Sequence, residues 1–195
     1  MVVVHLVRHG AHAELGHVLS GRSDIPLDER GHAQAGALAD STGPGGVASI
    51  HSSPRRRALQ TAAPLGRALR LPVHTADALD EVDFGAFTGR PFASLEHDPE
   101  WQHWNHARAE ARCPGGETMA EVVGRATAFL FSLDEAQSPA ACFTHCDVIR
   151  GVLAHLLGMP TGHLFMLDCD PASVTTLVLR PGEVRLAGLN RRILR

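Results

Sequence analysis

The chain has 195 residues and a formal net charge of −3, and its 18 basic residues are all arginine, with no lysine and no tyrosine. The missing lysine excludes a P-loop nucleotide hydrolase, a Schiff-base enzyme and a lysine-anchored cofactor; the slightly acidic balance supplies no field for nucleic acid or an anionic membrane. Apolar residues at 44% and charged residues at 20% are globular composition, and the length suits a single domain of 1–195.

The opening run Val2-Val3-Val4-His5-Leu6-Val7 is β-branched and nearly all apolar, which predicts a buried strand. Asp28 to Asp40 predicts a helix capped by Asp28 and broken at Gly43–Gly46. Val47–His51 predicts a short strand. Ser53-Pro54 then predicts a helix start, with Ser53 as cap and Pro54 at the first helical position, running to about Leu71-Pro72. Pro72–Ala76 predicts a further strand. Residues 84–115 are rich in Gly and Pro, carry both tryptophans, and read as an irregular lid or insertion. Thr118 and Glu121 have capping-box spacing and predict a helix to about Leu133. Ala140–Thr144 predicts a buried strand and Val148–Leu157 a helix stopped by Gly158 and Pro160. Ser173–Leu179 and Glu183–Leu186 predict strands joined at Pro181-Gly182. Alternating strands and helices imply an α/β three-layer sandwich, with a mostly parallel central sheet and helices on both faces. The last two strands offer an edge for pairing into a homodimer.

No apolar run is long enough to span a membrane. The N-terminus lacks the basic start and small-residue cleavage site of a secretory leader, which predicts a cytoplasmic protein. Cys113, Cys142, Cys146 and Cys169 form no C-x-x-C pair and read as free thiols.

Ligands of such sheets bind outside the carboxyl ends of the strands. Arg8-His9-Gly10 follows the first strand, Ser52-Ser53-Pro54 with Arg55, Arg56 and Arg57 follows the second, and His145-Cys146 follows the strand ending at Thr144. Arginine forks and helix N-termini suit phosphate. Two histidines beside one phosphate suit phosphoryl transfer. One attacks phosphorus as a neutral nucleophile; the other, protonated, offsets charge on the equatorial oxygens. A carboxylic acid must then protonate the leaving oxygen, and Asp80-Glu81-Val82-Asp83 supplies candidates.

At these residues the chain resembles the histidine phosphatase superfamily, the phosphoglycerate-mutase-like group. Leu6-Val7-Arg8-His9-Gly10 is similar to its signature, and Ser20–Leu27 to the loop before its first helix. Ser52–Ala62 is similar to its second arginine motif and Glu81–Gly85 to its acid motif. Pro114–Thr118 and Thr144–Arg150 complete the set, so the match spans residues 2 to about 180. The resemblance implies that His9 is phosphorylated, that Arg8 and Arg57 clamp the phosphoryl oxygens, that His145 is the second imidazole and that Glu81 is the proton donor. It implies substrate contact at Ser20 and Gly21, and places Cys146 beside the phosphate. Arg55 and Arg56 fall off the motif arginine and read as surface residues. The family resembled is metal-independent; no metal and no cofactor are expected, although His9/His12 and His103/His106 have ligand-like spacing.

Four positions depart from the pattern. Ala11 replaces an acidic residue, Leu15 a phosphate-contacting Asn, Thr88 a Glu, and Cys146 the Gly after the second histidine. The implied activity is hydrolysis of a small-molecule phosphate monoester through phospho-His9. The spacing from Arg8 to Ser20-Gly21 resembles the alpha-ribazole phosphatase branch. Two alternatives stand: a cofactor-dependent phosphoglycerate mutase, and a non-catalytic phospholigand-binding module. Trp101 and Trp104 read either as one packed helix face or as aromatics contacting substrate. Arg90, Arg108 and Arg112 read either as solvated charges or as one reader of a second anionic group.

Overall fold

In a computed structural model describing residues 1–41 and 46–193, six strands form one sheet. They are Val2–Arg8 (β1), Ser49–Ser52 (β2), Val73–Thr75 (β3), Ala140–Thr144 (β4), Val174–Arg180 (β5) and Glu183–Arg191 (β6). Their order is β3-β2-β4-β1-β5-β6. The pairings β3–β2, β2–β4 and β4–β1 are parallel, while β1–β5 and β5–β6 are antiparallel. Three of the five pairings are parallel, so the sheet is mixed, with its antiparallel part confined to β5 and β6. Apolar patterning marks β5 as a strand but carries no information about its direction. Of the two last strands only β6 lies at the edge; β5 is covered on both sides by β1 and β6.

The helices are Glu29–Ser41 (α1), Arg56–Leu69 (α2), Phe92–Leu95 (α3), Pro99–His106 (α4), Met119–Ser132 (α5) and Cys146–Leu156 (α6). Strand alternation splits the core into two clusters. Val4 and Leu6 of β1, with Ala140 and Cys142 of β4, pack with α5 and α6 side chains such as Val122 and Val152. Val7, Ala141 and Phe143 pack with Leu38 of α1 and Ala62 and Leu65 of α2. Neighbouring positions on one strand thus feed opposite faces, as the pleat requires. No helix among the described residues is long and apolar enough to cross a membrane.

Some helix starts follow local chemistry. Asp28 accepts from the Gly31 N–H at 2.7 Å, and Thr118 and Glu121 form a reciprocal capping box. The start of α2 does not: it begins at Arg56 with Arg55 extended at the cap and no side-chain cap, so Ser53 is not the N-cap. The Ser53 hydroxyl accepts from the Arg55 N–H at 3.2 Å and has in addition the tertiary partners described below. Residues 43–45 of the expected Gly43–Gly46 break lie outside the described residues.

The segment 84–115 is more ordered than its Gly and Pro content implies. Pro91 is the N-cap residue of α3, and Pro99 opens α4 behind the Asp98 cap, which accepts from Glu100 and Trp101. Phe84, Phe87, Leu95, Trp104 and Cys113 are buried in the same cluster as α5 and α6. Gly85, at φ +51°, lets this segment close: an added Cβ would sit 2.0 Å from the Pro114 carbonyl oxygen.

The adjacent carboxyl ends of β2, β4 and β1 converge on one place. The His9 N–H donates to the Thr144 carbonyl at 3.0 Å, and the Ser53 N–H to the Phe143 carbonyl at 2.9 Å. Gly10 holds the exit of β1 against α1, where an added Cβ would lie 2.9 Å from the Gly31 carbonyl oxygen. Its N–H donates to Thr61 of α2 at 2.9 Å.

Candidate active site

A cavity of about 490 Å³ opens at those strand ends. Arg8, His9, Ser20, Gly21, Arg57, Glu81 and Cys146 all line it, with His12, Leu15, Trp101, Arg108, Asp147 and Arg150. Seven of the eight residues singled out from the sequence therefore share one wall. The eighth, His145, lies directly behind it, fully buried, with its ring centroid 5.2 Å from that of His9.

His9 is buried, and its Nδ1 lies 2.8 Å from the Gly10 carbonyl oxygen. A carbonyl only accepts, so Nδ1 carries the proton and Nε2 keeps its lone pair. Burial, then the charges of Arg57 and Arg8, hold the ring well below the ordinary histidine range. A neutral imidazole with one free ring nitrogen is a nucleophile. The adjacent His12 ring, 5.2 Å away, is likewise pushed down to about 4, by burial and then by Arg57.

Arg57 is buried at 1% exposure. It donates to the Gly21 carbonyl at 2.5 Å, the Ser23 carbonyl at 3.0 Å and His145 Nδ1 at 3.1 Å. Gly21 stands at φ +48°, a conformation that turns its carbonyl toward Arg57 at little steric cost. Arg57 thus fixes the 20–23 loop as well as lining the cavity. Arg8 is held by a bond to the Cys169 carbonyl.

Because Arg57 only donates, His145 Nδ1 must accept, and Nε2 carries the proton. Nε2 lies 2.8 Å from Ser53 Oγ, which donates onward to Asp80 Oδ1 at 3.1 Å. Burial, then Arg57 and His9, push His145 well below its ordinary range.

Glu81 is buried, and its Oε2 lies 3.7 Å from His145 Nδ1. Burial, then the nearby charge of Asp147, raises its carboxyl to about 8. The acid is thus protonated at neutral pH, ready to donate. A buttress holds it in place: Arg22 and Arg125 both donate to the Glu81 carbonyl, at 3.0 and 3.1 Å, and both bind the Glu117 carboxylate.

Ser20 donates to Glu14 at 3.0 Å at the rim. The Cys146 thiol opens α6 with His145 as the N-cap residue. Contact with Cys169, ahead of the Arg8 charge, lowers that thiol below its usual range. Arg55 is not a free surface residue, since it pairs with Asp80 at 3.0 Å and donates to the Arg22 carbonyl. Trp104 is core, while Trp101 stacks on it at 5.2 Å, packs against the same core and lines the cavity. Arg90 and Arg112 pair with Asp98 and Glu121. No cluster of three or more metal-ligating side chains occurs among the described residues.

Sequence reasoning missed Ser53, Asp80, Arg22 and Asp147 as supports of the site. Asp80 lay in the acidic cluster and Asp147 in the last motif, but only the fold brings them to His145 and Glu81.

An arginine-lined, two-histidine site on this α/β sheet is the arrangement of the histidine phosphatase superfamily. The chain belongs to that superfamily: its family model, histidine phosphatase superfamily (branch 1), matches residues 4–192. A bifunctional protein of Mycobacterium tuberculosis is 35% identical over 176 residues, 87% of this chain and 48% of the relative. The chain thus spans about half the length of that relative. A probable phosphoglycerate mutase of Yersinia pestis is 35% identical over 167 residues, covering 82% of this chain and 77% of the relative. Among solved structures, a mycobacterial glucosyl-3-phosphoglycerate phosphatase superposes with a TM-score of 0.83 at 26% identity, over 97% of this chain and 98% of the other. A phosphoserine phosphatase of Entamoeba histolytica, in complex with 3-phosphoglyceric acid, gives 0.84 at 26% identity, over 98% of both.

Proposed function

We propose that this chain hydrolyses a phosphorylated small molecule through a phosphohistidine on His9. The observation that carries the reading is the pairing of a neutral His9, its Nε2 free, with a protonated Glu81 in one arginine-lined cavity. The phosphoryl group sits between Arg8 and Arg57, beside the positive end of α6. His9 Nε2 attacks phosphorus in line, the P–O bond to the alcohol breaks, and Glu81 gives its proton to the departing oxygen. The bound dianion offsets the arginine charges that depress His145, which favours the imidazolium and stabilises the equatorial oxygens. Glu81, now a carboxylate, takes a proton from water as that water attacks phosphorus and releases His9.

The test is acid-labile phosphate on His9 after mixing with p-nitrophenyl phosphate, together with loss of turnover in His9→Ala. Absence of both labelling and turnover between about pH 5 and 8 would leave the binding-module reading instead. The mutase reading is separated by supplying 3-phosphoglycerate with a bisphosphate primer: substantial formation of 2-phosphoglycerate favours a mutase, release of inorganic phosphate the phosphatase. Alpha-ribazole 5′-phosphate belongs in the same substrate screen.

A further inference from the structure

The mechanism leaves a thiol in the phosphate cavity without a task. Cys146 opens α6, is half-buried, and lines the same cavity as His9. Its Sγ lies 3.9 Å from the Cys169 carbonyl oxygen, and the two side chains are in contact. Cys169 is buried at 5% exposure. The first position of a helix, with Arg8 and Arg150 near, favours the Cys146 thiolate against the opposing charge of Asp147. An accessible thiolate is the form that attacks a peroxide. Cys169 is screened from such a reagent, and the Cys146 thiolate raises its thiol. Once Cys146 is a neutral sulfenic acid that effect is gone, while Arg8 and Arg150 still favour a Cys169 thiolate. Burial thus separates an attacking sulfur from a resolving one.

The segment that Cys169 begins is laced to the catalytic end of β1. Its carbonyl holds the Arg8 guanidinium. The Ala172 N–H donates to the Arg8 and His9 carbonyls at 3.1 and 3.2 Å, and the Arg8 N–H to the Ser173 carbonyl at 3.2 Å. Ala172 stands at φ +57°, a conformation strained for a residue with a Cβ, so these bonds hold a turn under tension. A covalent tie at Cys169 therefore acts on the residues placed to bind and attack the phosphoryl group. We propose that Cys146 and Cys169 are a modification site for hydroperoxides, a thiol pair that closes reversibly into a disulfide and thereby weakens the phosphate site. The Cys146 thiolate attacks a peroxide oxygen: the S–O bond forms, the O–O bond breaks, and the departing alkoxide or hydroxide takes up a proton. The Cys169 sulfur then attacks Cys146 Sγ. The S–S bond forms, the S–O bond breaks, and the leaving hydroxide combines with the Cys169 proton as water. The sulfurs are oxidised, the peroxide is reduced, and a dithiol reductant reverses the change.

The intact chain is treated with equimolar hydrogen peroxide, remaining thiols are blocked with N-ethylmaleimide, and peptides are mapped without reduction. The expected product joins the Cys146 and Cys169 peptides. Affinity for inorganic phosphate, read by calorimetry, falls by about tenfold or more, as weakening of one charge-assisted contact implies. Turnover of p-nitrophenyl phosphate falls with it, and dithiothreitol restores both. In Cys169→Ser, Cys146 should stop at the sulfenic acid, trapped by dimedone, and further peroxide should give a sulfinic acid that dithiothreitol does not reverse. Both thiols staying free, Cys146 passing to the sulfinic acid in the wild type with Cys169 unbridged, or a bridge that leaves phosphate affinity unchanged overturns the proposal. If Cys169→Ser fails to fold, the wild-type map and phosphate affinity decide alone. Absence of turnover or of phospho-His9 sinks the phosphatase reading separately, because the bridge is read by mass and its effect by phosphate affinity.

Discussion

His145 Nε2 donates to Ser53 Oγ across 2.8 Å, and the Ser53 hydroxyl in turn donates a hydrogen bond to Asp80 at 3.1 Å. This chain of donors fixes the tautomer that leaves Nδ1 facing Arg57 and Glu81. Ser53→Ala removes the acceptor for a buried N–H without touching substrate. The expected loss in kcat is about 10- to 100-fold, the worth of a hydrogen bond to a group that becomes charged in the reaction, with KM changed little. The specific readout is the His145 ring in nitrogen NMR. It should populate both tautomers in Ser53→Ala and return to one in Ser53→Thr. A single unchanged tautomer in the alanine variant would remove Ser53 from this role.

Glu81 is assigned two proton transfers, and the variant Glu81→Gln separates them by leaving group. An alkyl ester needs its departing oxygen protonated, so turnover should fall by about 10²- to 10⁴-fold. p-Nitrophenolate leaves without a proton, so the first half-reaction survives while water attack stalls. Rapid mixing should then show a burst of one nitrophenolate per site and a long-lived phosphohistidine. A linear time course without a burst would move the base role away from Glu81.

The raised carboxyl also links catalysis to stability. Folded Glu81 holds its proton up to about pH 8, against an ordinary value of 4.5. A group with a raised folded pKa makes its full contribution below the ordinary value and loses it as pH climbs toward the folded one. Wild-type stability should therefore decline between pH 4.5 and 8 relative to Glu81→Gln, which cannot ionise. Melting temperatures of the two proteins at pH 5 and pH 8 check this; a constant difference contradicts it. The same group sets the alkaline limb of kcat/KM near 8 for alkyl esters. His9 is held far below 6.5, so the acid limb should instead follow the second ionisation of the ester, at about 6.

Four of the five proposed catalytic positions were legible because each lies in a short local run at the carboxyl end of a strand: Arg8 and His9 at the end of β1, Arg57 just past β2, His145 after β4; Glu81 ends no strand and was read from the acidic run 80–83. The supports were not, because their partners come from distant parts of the chain. Ser53-Pro54 carries a capping signal, and its hydroxyl does accept from the Arg55 N–H at 3.2 Å, but it also meets His145 and Asp80, and the helix begins only at Arg56. Arg55 read as surface because it falls off the motif arginine; its partner Asp80 comes from a distant part of the chain. In residues 84–115 the prolines read as breakers, although Pro91 and Pro99 stand where α3 and α4 begin, the place a helix tolerates them. The direction of β5 depends on how the chain returns to the sheet, which side-chain alternation does not encode.

Arg57 joins binding to architecture through its bonds to Gly21, Ser23 and His145. Arg57→Met strands three acceptors, two of them in buried contacts, and a destabilisation of about 3–5 kcal/mol is expected from breaking this charged network, along with loss of turnover. Arg57→Lys keeps a charge, but one ammonium on a flexible stem does not reproduce the fork. Its kcat/KM should fall by at least about 100-fold while most of the stability returns. Equal destabilisation by Met and Lys would show that the fork geometry, rather than the charge, holds the 20–23 loop.

Cys146 lines the phosphate cavity where the family pattern has glycine, and its thiol is lowered by Cys169 and Arg8. The other three thiols are buried: burial pushes Cys113 and Cys142 up to about 12, and contact with Cys146, then burial, raises Cys169 well above its ordinary value. Thiolate fraction and access together govern alkylation. Iodoacetamide should therefore label Cys146 first among the four cysteines and abolish turnover in step with labelling. Vanadate or phosphate should slow both, because the anion and the thiol share one cavity. Cys146→Ala should resist the reagent while retaining phosphorylation of His9. Labelling of another cysteine first, or no protection by either anion, would place the thiol outside the phosphate site.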